Sequence, residues 1–381
     1  MQGRSNYNYL YPLIKFALAK ILVPVIQVFS WFSSSKEVGQ HKKIALLVNS
    51  RCSHSTTSFI SLIPELESKG LILDYHLVNY SQLSARKKIE NIYHFFCQYR
   101  KADFVFLDDT FLPVSFCIKG NWFSSASVIQ LWHSCGLFKR TGLDICNSQF
   151  SRLISKSNYK NYDLVTVSAE NCVQVISNFM GIACETVKAL GLSRTDYYFD
   201  EYRKITAEVN FRSDYPDIDD KKIVVYAPTY RGQPFNVDPS PIPSVNRVFD
   251  KLGEGYLPFV VPHPHEAINN NSFPLKHTLS AILHLVDILV TDYSSLAMEY
   301  MIANPNGRLI LFTPDVDRYT KEIGFYIELE EVTSNVVKDE THLLETIVMT
   351  SEGCDFNSYK NKYLNQCDGT STKKILQYLD L

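Results

Sequence analysis

The sequence predicts an α/β protein built from two doubly wound, Rossmann-like halves that face each other across a cleft. Three observations lead there. Apolar, strand-like runs alternate with helix-like stretches along most of the chain, the pattern of a parallel sheet covered on both faces. A length of 381 residues is enough for two ordinary domains. The alternation breaks once, across the polar residues 200–222 with Pro216 among them, and then resumes. This reading divides the chain into residues 1–40, 41–210 and 211–381.

The totals narrow the class. A hydrophobic fraction of 45% with 20% charged residues belongs to a globular chain. The 38 basic and 40 acidic side chains leave a net charge of −2. No overall basic field exists to hold nucleic acid, so none is expected as a partner. Nine cysteines at irregular spacing, with no CxxC pair, point to reduced thiols in the cytosol.

Residues 7–32 are unusually apolar, with Lys15 and Lys20 in the first half and Trp31 and Phe32 near the end. The uncharged run from Ile21 to Ser35 is shorter than the ~20 apolar residues that span a bilayer, and Pro24 is expected to kink a helix there. No small-residue cleavage pattern follows it, which argues against a secretory signal. Residues 1–40 therefore read as a membrane-associating helix at the cytoplasmic face of the cell membrane, peripheral or monotopic. The other readings are a helix packed on the protein's own core and a single tilted span.

The globular part opens with a buried strand, His41 to Ser50. A helix over Phe59–Lys69, a strand over Leu73–Asn79, a helix over Leu83–Lys101 and a strand over Asp103–Leu107 follow. Further strands are read at Val128–Trp132 and Leu164–Ser168. After the polar break come strands at Ile223–Ala227, Phe259–Val261, Ile288–Thr291 and Arg308–Phe312. Leu296–Ile302 reads as a helix, and Arg231–Arg247 as a long active-site loop.

Several strand ends carry chemistry, and in open α/β sheets ligands gather beyond those ends. Gln130-Leu131-Trp132-His133 runs into a turn at Gly136, followed by Lys139 and Arg140. His133 is a candidate base, because imidazole titrates near neutral pH, and Lys139 and Arg140 are placed to attract phosphates. Cys135 nearby reads as a packing residue before a nucleophile. Pro228-Thr229-Tyr230-Arg231 presents a guanidinium, whose forked donors match phosphate oxygens. His263 is held stiffly between two prolines and is read as a phosphate donor or an acid for a leaving group, with His265 as its rival. Asp292-Tyr293-Ser294-Ser295 stands at a helix start, where hydroxyls and free N–H groups suit a phosphate. Arg194 and Asp196, after Gly191, read as a structural pair. Asp108-Asp109 lacks the spacing of a metal site, and one of the two is expected to orient His133. Neither a Walker loop nor a Gly-rich dinucleotide fingerprint is present, and no cofactor or metal is expected.

Taken together and in order, Trp132-His133 with Lys139 and Gly142, Gly191 with Arg194 and Asp196, Pro228-Thr229-Tyr230-Arg231, His263-Pro264, Thr291-Asp292-Tyr293-Ser294-Ser295 and Asp368-Gly369-Thr370-Ser371 resemble the CDP-glycerol glycerophosphotransferase family of teichoic-acid and capsule synthesis. The similarity covers roughly residues 41–375. Ser134 stands where the family usually has Gly, and Tyr230 where it often has Trp. The resemblance implies a GT-B type transferase at the inner face of the membrane. It implies transfer of a polyol phosphate from CDP-glycerol or CDP-ribitol to a hydroxyl of a lipid-linked saccharide or growing polymer, releasing CMP. It suggests His133 as base on the acceptor, and Arg231, His263, Ser294 and Ser295 on the donor pyrophosphate. Beside these, Asp109 and His263 are read with His133 in catalysis, and Thr229 and Asp292 with the donor phosphate. The modest length points towards a primase-like single addition. The rival readings are a GT-B glycosyltransferase using a nucleotide sugar and a non-catalytic membrane scaffold with a vestigial cleft.

Overall fold

The computed structural model describes residues 7–33, 42–120, 123–229, 232–233, 236–237, 241–263, 272–349 and 353–381. The described chain forms two compact units. Unit 1 is drawn from Met1–His133, Thr141–Tyr197 and Thr370–Leu381, and unit 2 from Ser134–Arg140 and Tyr198–Gly369.

In chain order unit 1 holds α1 (Tyr7–Ser33), β1 (Ile44–Asn49), α2 (Thr57–Ser68), β2 (Ile72–Leu77), α3 (Ala85–Tyr99), β3 (Phe104–Leu107), α4 (Leu112–Phe116), β4 (Ser127–Gln130), α5 (Gln149–Ser157), β5 (Leu164–Thr166), α6 (Glu170–Met180), β6 (Val187–Lys188) and α7 (Ser193–Asp196). Unit 2 holds α8 (Glu201–Asp214), β7 (Lys222–Tyr226), β8 (Gly232–Gln233), β9 (Asn236–Val237), α9 (Ile242–Phe249), β10 (Tyr256–Val260), α10 (Leu279–Ile282), β11 (Ile288–Thr291), α11 (Leu296–Ala303), β12 (Arg308–Phe312), α12 (Val316–Glu322), α13 (Leu329–Val332), β13 (Val336–Val337), α14 (Glu340–Val348) and α15 (Asn357–Tyr363). The last helix, α16 (Ser371–Tyr378), belongs to unit 1.

Both main sheets are parallel, as the alternation predicts. Among the described residues the unit 1 sheet runs β2-β1-β3-β4-β5-β6 and the unit 2 sheet β10-β7-β11-β12-β13. Each begins second-first-third in its own strand sequence, so the direction of winding reverses between the first and third strands. Ligands collect beyond the strand ends at such a reversal. It falls between β1 and β3 in unit 1, and between β7 and β11 in unit 2.

The strands are apolar on both faces because both faces are covered. In unit 1, Leu47, Phe106 and Ile129 meet Phe59, Leu62 and Leu66 of α2 and Ile375 and Leu376 of α16. In unit 2, Val224, Val290 and Ile310 meet Val245 and Phe249 of α9 and Leu343 and Ile347 of α14.

Several expectations are corrected. The polar stretch after residue 200 is the helix α8, not a linker. Asp200 caps it by accepting the amide of Arg203 at 3.1 Å, and Glu201–Lys204 and Glu208–Arg212 pairs run along its surface. Its buried residue is Phe211, so the apolar periodicity that marks a helix is missing. The break between units falls at Tyr197–Tyr198, not near residue 210, and residues 134–140 and 370–381 each belong to the unit that a contiguous division denies them. The expected loop at 231–247 contains β8, β9 and most of α9, whose Ile242, Val245, Val248 and Phe249 are buried. The Pro24 expected to kink a helix lies inside α1, which is assigned continuously over Tyr7–Ser33.

That first helix packs one side on α3 and α4. Val23, Ile26, Gln27 and Ser30 are buried there. The Gln27 amide donates to the Ile118 carbonyl at 2.9 Å and accepts the Ile118 N–H at 2.7 Å. The Arg100 guanidinium lies 4.9 Å from the centre of the Trp31 ring and donates to the Trp31 carbonyl. Leu18, Ile21, Leu22, Val25, Phe29 and Phe32 on the other side are exposed.

Candidate active site

In unit 1, β4 stops at Gln130, and Trp132 takes φ +57. A bulky L-residue rarely adopts that left-handed region, at a cost of roughly 1–3 kcal/mol, so the surroundings must impose it. They do so at three points. The buried Gln130 side chain accepts the Trp132 N–H at 3.0 Å and donates to the Asp109 carbonyl at 3.2 Å, tying the ends of β4 and β3 together. The Trp132 ring packs 5.6 Å from Phe179. The Arg194 guanidinium donates to the His133 carbonyl at 2.7 Å. Gly142 lets the chain pass close behind, because a Cβ there would sit 2.5 Å from the Phe179 carbonyl oxygen.

The result is a His133 ring fixed against the Trp132 ring, centroids 4.6 Å apart. Its Nδ1 is buried and lies 3.4 Å from Asp109 Oδ1, ion-pair range without hydrogen-bond geometry. Asp109 is the carboxylate that the sequence expectation required. Its Oδ1 accepts the Thr110 N–H at 2.6 Å, and its Oδ2 pairs with the exposed Arg51. Asp108 instead turns inward, where Ser58 Oγ donates to it at 2.5 Å and Asn49 Nδ2 lies at 3.4 Å. Burial lowers the pKa of His133, Asp109 opposes that shift, and Arg51 and Arg194 add to it. The ring is thus neutral near pH 7. With Nδ1 turned to a carboxylate, Nε2 carries the lone pair, which is what a general base needs.

In unit 2 the ends of three neighbouring strands supply the remaining candidates. Asp292, after β11, is fully buried, and its Oδ1 accepts the Thr229 N–H at 2.8 Å and the Tyr293 N–H at 2.6 Å. It therefore fastens the ends of β7 and β11. Thr291 reinforces the join by donating to the Ala227 carbonyl at 2.6 Å. Ser294 Oγ accepts the Leu296 N–H at 3.3 Å. Ser295 occupies the cap position of α11 without spending its hydroxyl on the cap, and both serines are half-buried. The half-buried His263 follows β10, where the Val261 N–H donates to the Tyr226 carbonyl at 2.8 Å. Tyr293 is held beneath, stacked 3.9 Å from Tyr319 and donating to Asp315 Oδ1 at 3.0 Å. Thr229, His263, Ser294 and Ser295 thus share the carboxyl ends of β7, β10 and β11. Arg231 and His265 lie outside the described residues.

Lys139 and Arg140, expected to attract phosphates, lie on a short backbone bridge within unit 2. Phe138–Arg140 pairs with Gly324–Tyr326 within unit 2, the Arg140 N–H donating to Gly324 at 3.0 Å and the Tyr326 N–H to Phe138 at 2.8 Å. Arg140 Nε donates to the Phe325 carbonyl at 3.1 Å. Gly136, just ahead, has φ +66, and a Cβ there would meet the Tyr359 hydroxyl at 2.6 Å. Cys135 is buried, as its packing reading expects. Arg194 and Asp196 serve separate partners: Asp196 accepts the N–H groups of Ser371 and Thr372 at 3.1 and 2.7 Å, joining α7 to α16. Sequence reasoning missed Arg51 and Gln130. Arg51 directly follows a strand, the signal that picked out the other candidates.

The family model described as CDP-glycerol:poly(glycerophosphate) glycerophosphotransferase matches residues 70–380. The chain belongs to this family. Similar proteins include the teichoic acid poly(ribitol-phosphate) polymerase of Bacillus spizizenii, 26% identical over 85% of this chain and 54% of that protein. The ribitol-phosphate primase of the same organism is 28% identical over 75% and 77%. The glycerol-phosphate primase of Bacillus subtilis is 29% identical over 66% and 67%. The chain thus spans about half the length of the polymerase it matches. Among solved structures, a variant of the wall teichoic acid polymerase TagF superposes with a TM-score of 0.72 at 15% identity, over 98% of this chain and 97% of that one. The UDP-GlcNAc 2-epimerase of Neisseria meningitidis reaches 0.53 at 13%, over 89% and 99%. These likenesses establish the fold, and a fold shared by such different enzymes does not select the chemistry.

Proposed function

We propose that this glycerophosphotransferase-family chain transfers glycerol phosphate or ribitol phosphate from a CDP-polyol to a hydroxyl of a lipid-linked saccharide or growing polymer in teichoic-acid synthesis. The observation that carries the reading is a neutral, carboxylate-backed His133 in a chain whose second unit gathers hydroxyls, an imidazole and a helix start at its strand ends. His133 Nε2 takes the proton of the acceptor hydroxyl as its oxygen bonds to the β-phosphorus. The bond from that phosphorus to the bridging oxygen breaks, and CMP leaves with the electron pair. His263 and Arg231 offset the negative charge gathering on the bridging oxygen. Ser294, Ser295 and the first amides of α11 hold the diphosphate, a use for which a helix start is suited. The two units act in the manner of a GT-B enzyme, one for each substrate.

The exposed side of α1 supports attachment to the cytoplasmic face of the membrane. Leu18, Ile21, Leu22, Val25, Phe29 and Phe32 recur at helical spacing and form one apolar stripe. Among the described residues no helix is long and apolar enough to cross a bilayer.

The test is to incubate the chain with CDP-glycerol or CDP-ribitol and a lipid-linked disaccharide, with and without a terminal glycerol phosphate, then measure CMP and the mass of the lipid product. CMP in step with one added polyol phosphate supports the reading. Release of a nucleoside diphosphate, or no product with either donor, rejects it.

A further inference from the structure

We propose that Arg51 receives a phosphate carried by the acceptor, and that its movement from Asp109 to that phosphate hands the carboxylate to His133. The inference rests on the function proposed above and narrows the acceptor to one that already bears a phosphodiester beside its attacking hydroxyl.

Arg51 follows β1 and Asp109 follows β3, so the pair sits at the winding reversal of the unit 1 sheet. The two partners are unlike: the Arg51 side chain is 65% exposed, whereas Asp109 is 5% exposed. Their contact includes Arg51 Nε and Asp109 Oδ2, and most of the Arg51 side chain stays open to solvent. A guanidinium fork matches two phosphate oxygens. Close by, α2 begins at Thr57 without a side-chain cap, and the Thr56 hydroxyl is buried with no hydrogen-bond partner. The other carboxylate at this point, Asp108, is engaged by Ser58 and Asn49.

Asp109 is therefore contested. One oxygen is held by Arg51, and the other lies just beyond hydrogen-bond geometry from His133 Nδ1. A phosphate arriving at Arg51 neutralises the competing cation and frees the carboxylate to close on Nδ1–H. That contact stabilises the imidazolium formed when Nε2 takes the hydroxyl proton. Acceptor binding and base activation are coupled through one side chain.

The experiment uses the full chain with two short synthetic acceptors. One ends in a glycerol phosphodiester, and the other has a neutral ether in its place. Arg51→Ala should raise KM for the phosphodiester acceptor by about 10- to 100-fold, the size of a lost charge-assisted contact. KM for the CDP-polyol should stay unchanged. Turnover of the ether acceptor should exceed that of the unaltered protein, because Asp109 is released permanently. Arg51→Lys should recover part of the preference, and thermal unfolding of both variants checks that the unit still folds. Equal impairment with both acceptors would reduce Arg51 to a prop for Asp109, and an undiminished preference would remove it from the acceptor site. Either overturns the inference while the function stands. Absence of CMP release from the unaltered protein with every acceptor sinks the function and the inference together.

Discussion

His133 Nδ1 stands 3.4 Å from Asp109 Oδ1, and the same carboxylate is paired through Oδ2 with Arg51. A base in this setting has a defined pH signature. Burial holds the His133 pKa below its ordinary value of 6.5. His133 is competent when neutral, so kcat/KM should be flat near pH 7 and fall only as pH drops through that lowered pKa. Asp109 acts to raise the pKa, so Asp109→Asn should move the acid limb to still lower pH while reducing turnover. His133→Ala should reduce kcat by about 10²–10⁴-fold with CDP-polyol affinity nearly intact. Equal loss of both quantities would remove His133 as the base.

Asp292 makes a second, structural prediction. Asp292→Ala leaves the part-buried amide of Thr229 and the buried amide of Tyr293 without the oxygen that accepts both. Each unsatisfied amide costs about 1–3 kcal/mol. The urea midpoint should fall and donor affinity with it, since one of the ties between the ends of β7 and β11 is lost. An unchanged midpoint would show that the carboxylate does not serve as the fastener.

His76 contributes to the acid sensitivity of unit 1. Its ring is buried against Phe95, with Nδ1 3.1 Å from Gln98 Oε1 and Nε2 2.9 Å from the Tyr80 hydroxyl. Burial, only partly offset by Gln98, lowers its pKa from 6.5 to about 4. Below pH 6.5 the unfolded chain takes up a proton that the folded chain refuses until about pH 4. The stabilisation is complete above pH 6.5 and is lost as pH falls through that window, up to about 3 kcal/mol in all. Denaturation at pH 7.5 and pH 4.5 should show this loss, and His76→Gln should flatten it. Identical slopes for both proteins would assign acid sensitivity elsewhere.

The outer side of α1 gives the last prediction. Ile21→Glu combined with Phe29→Glu alters two exposed side chains, so thermal stability should hardly change. Sedimentation with anionic lipid vesicles should fall about tenfold or more, because each buried aliphatic or aromatic side chain contributes about 1.5–3 kcal/mol. Unaltered sedimentation would place the contact with lipid somewhere else.

Much of this was legible in the chain. The buried strands β1, β3, β7, β11 and β12 announce themselves as apolar runs, and the candidates His133, His263, Ser294 and Ser295 were found by looking just past such runs. Helix α8 was not legible, since Phe211 is its buried residue and its stability comes from a cap and surface pairs. Trp132 read as strand, because nothing local reveals that Gln130 and Arg194 hold the backbone around it in the left-handed region. Arg51 was passed over for want of an imidazole or a proline beside it.

Local pattern determined the two parallel sheets, the order of the chemical clusters and the family they belong to, because side-chain periodicity and strand-end position are properties of contiguous residues. Only the tertiary structure decided that Asp109 and not Asp108 faces His133, that Asp292 is a fastener, and that Ile375 and Leu376 complete the core of the first unit. Those outcomes depend on which distant groups share a desolvated space. Partnership across such a space is set by how the chain returns on itself, and no window of neighbouring residues contains it.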